Sequence, residues 1–333
     1  MTGTTSIFVH EHITGGGLTG EALPGSLAAE GRMMRDALVR DIASLPDVEV
    51  SVVHDRRIAP PAGAAHALAV GERSEWRPAF DALTREADAV WIVAPETGGI
   101  LEQLSQSVLS AGCALLGSTP AAVRIAASKR ESHRCLSDAG IASVPTFRPD
   151  EPRPHARGAW VAKPDDGCGS EHTRVFPDGA AAERWIASRP DGARFVLQPH
   201  VPGEAWSLSA LARAGDAWLL SVNRQRMELR DGAFAFRGVE VNAIEDRDGT
   251  FADLVGRVAR AIPGLQGYFR LDVIVGAVEP AVIDINPRLT TSWAGLADAL
   301  GANPAGLVLD LLLHDRFVPP APAVRPVVVE IAA

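Results

Sequence analysis

Short apolar, β-branched runs alternate with longer amphipathic stretches along the first third of the chain. SIFVH (6–10), VEVSVV (48–53) and AVWIVA (89–94) read as strands, with CALLG (113–117) as a further one. Between them, 26–44, about 76–87 and 100–111 carry helical spacing. Strands that alternate with helices imply a parallel sheet with crossovers, so residues 1–118 are expected to form a doubly wound α/β unit. The glycines TGGG (14–17) follow its first strand but do not complete a G-x-G-x-x-G pattern.

Two helix starts follow. Thr119 is placed to cap, with Pro120 at the first helical position, and Ser128 is placed to cap with Glu131 three residues on as a capping box. Lys129 then falls in the first turn of a helix that stops at Gly140. After a Pro-rich connection (149–158), residues 159–212 read as strand, glycine loop, strand, helix (178–188) and two more strands (194–198, 206–212). A turn at 213–216 leads into AWLLSVNRQ. A helix (250–261), paired strands (267–276, 281–286), a helix near 303–314 and a final strand-like VVVEIA complete the pattern.

The paired strands carry the most chemistry. In YFRLDVIVGAVEPAVIDINPR (268–288), a hairpin centred near Val278 sets Asp272 opposite Asp284 and Arg270 opposite Asn286. Alternation points all four to one face, leaving Leu271, Val273, Ile283 and Ile285 for the core. Opposed residues lie about 5 Å apart, close enough for two carboxylates to share a divalent cation. Without a cation the two charges repel, unless they form a solvated acidic face or pair with Arg270.

Composition narrows the setting. With 47% hydrophobic and 22% charged residues over 333 positions, the chain can bury a real core and is long enough for two domains or several subdomains. A net charge of −9 argues against a nucleic-acid or anionic-membrane partner. The three cysteines, Cys113, Cys135 and Cys168, form no CxxC pair, which fits a reducing cytoplasm better than a disulfide framework or zinc site. No signal peptide, membrane-length run or solenoid repeat is evident, so a cytoplasmic protein acting on small molecules is expected, with a homodimer compatible.

Of 32 basic residues, 30 are arginine, and the two lysines are Lys129 and Lys163. Lysine is a compact point charge where arginine is a planar fork, and a phosphate clamp suits it. Lys163 ends an apolar run and precedes the loop DDGCGSE (165–171), whose Gly167, Gly169 and Ser170 can offer backbone and hydroxyl donors to a polyphosphate. No GxxxxGK[ST] occurs, which excludes a P-loop. Two phosphate-facing lysines, a glycine flap and an acid–acid–Asn set suited to Mg²⁺ describe a site for ATP.

These parts, in this order, resemble the ATP-grasp superfamily over nearly the whole chain. The resemblance implies an α/β (α+β) ATP-grasp fold: a Rossmann-like pre-grasp domain (1–118), a central subdomain with the flap (119–193) and a C-terminal subdomain with the metal site (194–333). It implies ATP contacts from Lys129 and Lys163, adenine read by Gln198 and the backbone of Val201 in QPHV, and ribose held by Glu204. It also implies Mg²⁺ (or Mn²⁺) on Asp272, Asp284 and Asn286, with Arg270 and Lys163 in catalysis. Asp284 and Gln198 stand where glutamate is commoner, which leaves the bridging role of Asp284 open.

HEHITGGG (10–17), APETGGIL (94–101), NRQRMEL (223–229) and NPRLTTSWAGL (286–296) are most similar to the tyramine–glutamate ligases of methanofuran biosynthesis. The implied activity is ADP-forming amide synthesis through an acyl phosphate, joining glutamate to tyramine or, in a methylofuran pathway, tyrosine. Substrate contacts then fall to Glu11, Glu96, Arg288, Thr290, Thr291 and Ser292, with Trp293 either bordering an aromatic ring or packed in the core. His10 and His12 either touch substrate or are structural. Other readings are a ligase for another amino acid or dipeptide (D-Ala-D-Ala or polyglutamate type), a nicotinamide-dependent oxidoreductase resting on TGGG, and a nucleotide-binding protein without turnover.

Overall fold

A computed structural model describes residues 4–153, 158–167, 172–276, 279–321 and 325–331. The N-terminal unit comprises β1 (Thr5–Glu11), α1 (Gly25–Ala43), β2 (Val48–Asp55), β3 (His66–Val70), α2 (Arg73–Glu86), β4 (Ala89–Val93), α3 (Ile100–Ser110) and β5 (Ala114–Leu115). Its strands are all parallel, in the order β3-β2-β1-β4-β5. β4 is buried along its whole length between helical layers, which is why it reads as an unbroken apolar run. β3 was not anticipated: its HALAV is exposed at four of five positions and lacks a core pattern, because it forms the sheet edge.

TGGG does not shape a phosphate turn. A Cβ on Gly17 would lie 2.2 Å from the His12 ring and one on Gly15 2.9 Å from the His10 ring. The glycines make room for two buried imidazoles.

α4 (Pro120–Ala127) and α5 (Lys129–Asp138) follow. Thr119 Oγ1 accepts from Ala122 N and Ser128 Oγ from Glu131 N, as the caps predict. The returning half of the capping box is replaced: Glu131 takes up Arg130 and Arg134 instead.

The remaining elements are β6 (Trp160–Pro164), β7 (Arg174–Phe176), α6 (Gly179–Ala187), β8 (Phe195–Pro199), β9 (Glu204–Arg213), β10 (Asp216–Arg230), β11 (Ala233–Ile244), α7 (Thr250–Ala261), β12 (Gly267–Val275), β13 (Ala281–Asn286), α8 (Leu296–Leu300), α9 (Pro304–Leu309) and β14 (Val327–Glu330). They form a sheet in the order β13-β12-β9-β10-β11-β7-β6-β8, with β14 paired on β11. β7 meets β11 at the single pair Ala233–Arg174, so β6–β8 form one block and β9–β13 another, joined at a narrow seam. β8 pairs with β6 from Phe195 to Pro199. A boundary at 193/194 would cut this block, and we place the subdomain limit after Pro199. The helix expected at 303–314 is α9 followed by a wider turn over Asp310–His314.

One face of the larger block packs Phe269, Leu271, Val273, Val282 and Ile285 on α4, α5 and α7. The opposite face is apolar at one end, where Tyr268, Leu211, Leu220 and Val239 meet Trp293, α1 and the C-terminal helices. Trp293 stacks edgewise on Trp91 (5.3 Å) and Tyr268 (5.1 Å) and donates to Asp41 at 2.9 Å, locking the N-terminal unit to the larger block. The other end of this face is polar and open. Among the described residues no single helix is long and apolar enough to cross a membrane.

Candidate active site

That open end is the floor of a cavity of about 450 Å³, a size that suits a small-molecule ligand. β12 and β13 pair in the expected register, Arg270 with Asn286 and Asp272 with Asp284. Beyond Asp272 the register slips by one, so Val273 meets Val282. The bulge corrects one expectation: Val282 enters the core, and Ile283, expected there, lines the cavity beside Asp284.

Asp272 is the most constrained member. Its Oδ2 accepts from Arg270 Nη2 (2.9 Å) and Asn286 Nδ2 (3.1 Å), and its Oδ1 from Gln225 Nε2 (2.6 Å). Burial raises its pKa, Arg270 opposes the rise, and the facing charge of Asp284 adds to it. A group held this way gains from a nearby cation. Two carboxylates and the Asn286 amide are a hard, oxygen-rich donor set of the kind Mg²⁺ takes when phosphate and water complete its shell.

Both lysines reach the same place by different routes. Lys129, in the first turn of α5, donates to Gly167 O (2.6 Å) and Asp165 O (3.3 Å) and lies 3.6 Å from Asp284 Oδ2. Lys163, at the end of β6, donates to Ile283 O at 3.4 Å. Burial lowers the Lys163 pKa to about 8, and the charge of Lys129 pushes the same way. Two buried cations that disfavour each other are an anion-binding arrangement. Gly167 lines the cavity; Gly169 and Ser170, with Cys168, lie outside the described residues.

At one end the cavity is lined by Val144, Val161, Ile274 and Ile283 with Gln198, Val201 and Glu204. Gln198 is buried and donates to Thr146 Oγ1 at 2.8 Å, while Glu204 is exposed and accepts from Trp206 Nε1 at 3.1 Å.

The expected substrate residues divide. Thr290 and Thr291 line the cavity. Ser292 does not: it is fully buried against Tyr268 Oη (3.1 Å), Ser209 Oγ (3.3 Å) and Thr290 Oγ1 (3.1 Å), anchoring the threonines from beneath. Glu11 is also withdrawn. Its carboxylate accepts from Ile13 N, Thr14 N and Thr14 Oγ1 and abuts Gly31 of α1, so it caps a turn. Arg288 lines the cavity and is ion-paired with Glu96, and Trp293 is core. Sequence reasoning assigned no role to Gln225, whose signal was its alternation with Asn223 on a strand opposite β9. It also missed the cavity residues Glu30, Met34, Met227, Phe234 and Phe236, which only the tertiary packing of α1, β10 and β11 brings in.

A lysine pair, a carboxylate pair and an apolar slot around one cleft, between an α/β unit and a two-block antiparallel sheet, define a nucleotide-clamping protein of the ATP-grasp class. The ATP-grasp domain family matches residues 126–292 and the pre ATP-grasp 3 domain family residues 48–123; the chain belongs to the ATP-grasp family. It is 30% identical over 210 residues to the tyramine–L-glutamate ligase of Methanocaldococcus jannaschii, a match spanning 63% of this chain and 58% of that one. Its fold is similar to an ATP-grasp superfamily protein from Archaeoglobus fulgidus (TM-score 0.73, 24% identity, 98% of this chain and 92% of that one). It is also similar to an L-amino acid ligase from Bacillus licheniformis (TM-score 0.69, 14% identity, 98% and 79%).

Proposed function

We propose that this protein is an ATP-dependent, ADP-forming ligase that joins glutamate to an aromatic amine, tyramine or tyrosine, in a methanofuran- or methylofuran-type cofactor pathway. The convergence of Lys129, Lys163, Asp272, Asp284 and Asn286 on one cleft carries the ligase reading. The likeness to a tyramine–L-glutamate ligase supports the substrate pair.

In this reading a glutamate carboxylate oxygen attacks the γ-phosphorus of ATP and ADP departs, leaving an acyl phosphate. The amine nitrogen then bonds to the acyl carbon, the C–O bond to phosphate breaks with its electrons leaving on phosphate, and the surplus ammonium proton passes to solvent. Lys129 and Lys163 hold phosphate oxygens. Arg270, fixed by Asp272, faces the developing charge of the acyl phosphate and its tetrahedral adduct. Asp272, Asp284 and Asn286 would hold Mg²⁺ (or Mn²⁺), which neutralises charge on the transferring group. Gln198 and Val201 border the base, and Glu204 the ribose. The protein contributes chiefly positioning and fixed charge.

The test is ADP formation with ATP, Mg²⁺ and single amino acids, alone and with amines. Glutamate-dependent turnover that tyramine or tyrosine accelerates supports the reading. Turnover with D-alanine or another amino acid in place of glutamate keeps the ligase and removes the substrate assignment.

A further inference from the structure

We infer that Thr290 holds a carboxylate oxygen of the amino-acid substrate by donating its hydroxyl proton, and that a buried relay through Asn223, Ser209, Tyr268 and Ser292 keeps it in that donor state. The inference rests on the ligase reading above. The four relay members are positioning residues, acting on substrate only through Thr290.

The relay starts from a group of fixed polarity. A backbone N–H only donates, and that of Asn242 on β11 reaches Asn223 Oδ1 at 3.0 Å. Ser221 Oγ donates to the same oxygen at 2.9 Å. The Asn223 amide is thereby oriented, and its Nδ2 donates to Ser209 Oγ at 3.1 Å. Ser209 Oγ lies 2.9 Å from Tyr268 Oη, Tyr268 Oη 3.1 Å from Ser292 Oγ, and Ser292 Oγ 3.1 Å from Thr290 Oγ1. The direct Ser209–Ser292 contact is the longest of the four between hydroxyls, at 3.3 Å, and the weakest. Each hydroxyl carries one proton. With Ser209 already accepting from Asn223, the protons run outward: Ser209 to Tyr268, Tyr268 to Ser292, Ser292 to Thr290.

This order leaves the Thr290 proton for the cavity that Thr290 lines. Thr290 also flanks the start of the turn Thr291–Gly295, a place where threonine commonly caps, yet its side chain makes no cap hydrogen bond. Its oxygen is taken up by Ser292 instead. The relay and Thr290 are all buried, so little water competes for their protons. Tyr268 precedes Arg270 by two residues and Ser209 pairs with Arg270, so the relay runs along the sheet face that carries the carboxylate pair. A hydroxyl held as a donor favours an anionic oxygen over an ammonium, which has only protons to offer.

Hydroxylamine traps a glutamyl phosphate as the hydroxamate, so the KM values of glutamate and ATP are read without a second amine. Thr290→Val and Ser292→Ala should each raise the glutamate KM about tenfold and leave the ATP KM within about twofold. Tyr268→Phe keeps the ring against Trp293 and should raise the glutamate KM only about threefold, because Ser209 still lies near Ser292. Thr290→Ser should recover most of what Thr290→Val loses. Ser292→Ala added to Thr290→Val should cost nothing further, as a residue acting only through Thr290 requires. Glutarate, which lacks the ammonium, should compete with glutamate and lose affinity in Thr290→Val by the same factor. Additive losses in the double variant would reduce the relay to core packing. An ATP KM that rises with the glutamate KM would assign the donor to phosphate, and glutarate binding indifferent to Thr290→Val would assign Thr290 to the ammonium. Each of these overturns the inference while hydroxamate still upholds the ligase. No glutamate-dependent hydroxamate would overturn both.

Discussion

Arg288 and Glu96, 192 positions apart in sequence, form a two-armed ion pair, Nε to Oε1 at 2.9 Å and Nη2 to Oε2 at 3.0 Å. Their side chains are only 11% and 6% exposed. The pair joins the loop after β4 to the loop after β13, fastening the N-terminal unit beside the strand that carries Asp284 and Asn286. Both side chains are expected to face substrate; each neutralises the other, and Arg288 also lines the cavity.

Breaking one member of such a pair strands a charge. Glu96→Gln should destabilise the protein by about 3–5 kcal/mol, and Arg288→Met together with Glu96→Gln by less than the sum of the two single changes. Urea denaturation of the three variants measures this. Native stability in Glu96→Gln with a raised glutamate KM would instead make Glu96 a substrate contact.

Asp284→Asn keeps the shape of the hairpin and removes one carboxylate. Turnover should fall by about two orders of magnitude or more. Melting without nucleotide should change little, since relief of repulsion with Asp272 offsets loss of the Lys129 contact. Native activity in Asp284→Asn would exclude the hairpin as the metal site.

Lys163 gives a proton-linked binding signal. With its pKa lowered to about 8 in the ligand-free cleft, it is half neutral there, and a polyphosphate favours the charged form. Nucleotide binding should therefore take up protons near pH 8, and affinity should fall as pH rises further. Calorimetry with a non-hydrolysable ATP analogue in two buffers of different ionisation enthalpy reads the uptake. Lys163→Ala should abolish it and weaken binding, as should Lys163→Arg in part.

His10 and His12 set the acid limit. Burial pushes both pKa values down, that of His12 to about 4, and neither His10 ring nitrogen has a hydrogen-bond partner among the described residues. Between pH 4 and about 6.5 the unfolded chain binds more protons than the folded one, so stability rises with pH across that window and is complete above it. His12→Gln should flatten the acid limb of a melting-temperature profile. An unchanged limb would place the linkage elsewhere.

Much of this site was readable because local alternation encodes it. The pairing of Asp272 with Asp284 follows from a two-residue period and a Pro-containing turn, and the caps at Thr119 and Ser128 from their own sequence. The bulge at Ile283 left no such mark, because Ala281, Val282 and Ile283 are all apolar and carry no alternation for it to break. Strand β11 was missed where AFAFRGVEVNAI mixes glycine and charge, since its face is set by β10 and β14. Contacts such as Arg288 with Glu96, or Ser292 beneath Thr290, depend on segments brought together only by the fold. The resemblance assigned those residues to substrate; the fold turns Ser292 inward and pairs Glu96 with Arg288, which lines the cavity.

The most direct measurement is isotope transfer. Glutamate labelled with ¹⁸O in its carboxylates, incubated with the protein, ATP, Mg²⁺ and tyramine, should yield ADP, a glutamyl amide and inorganic phosphate carrying one ¹⁸O per amide formed. Release of AMP and pyrophosphate, or amide formed with no label in phosphate, would contradict the acyl-phosphate ligase.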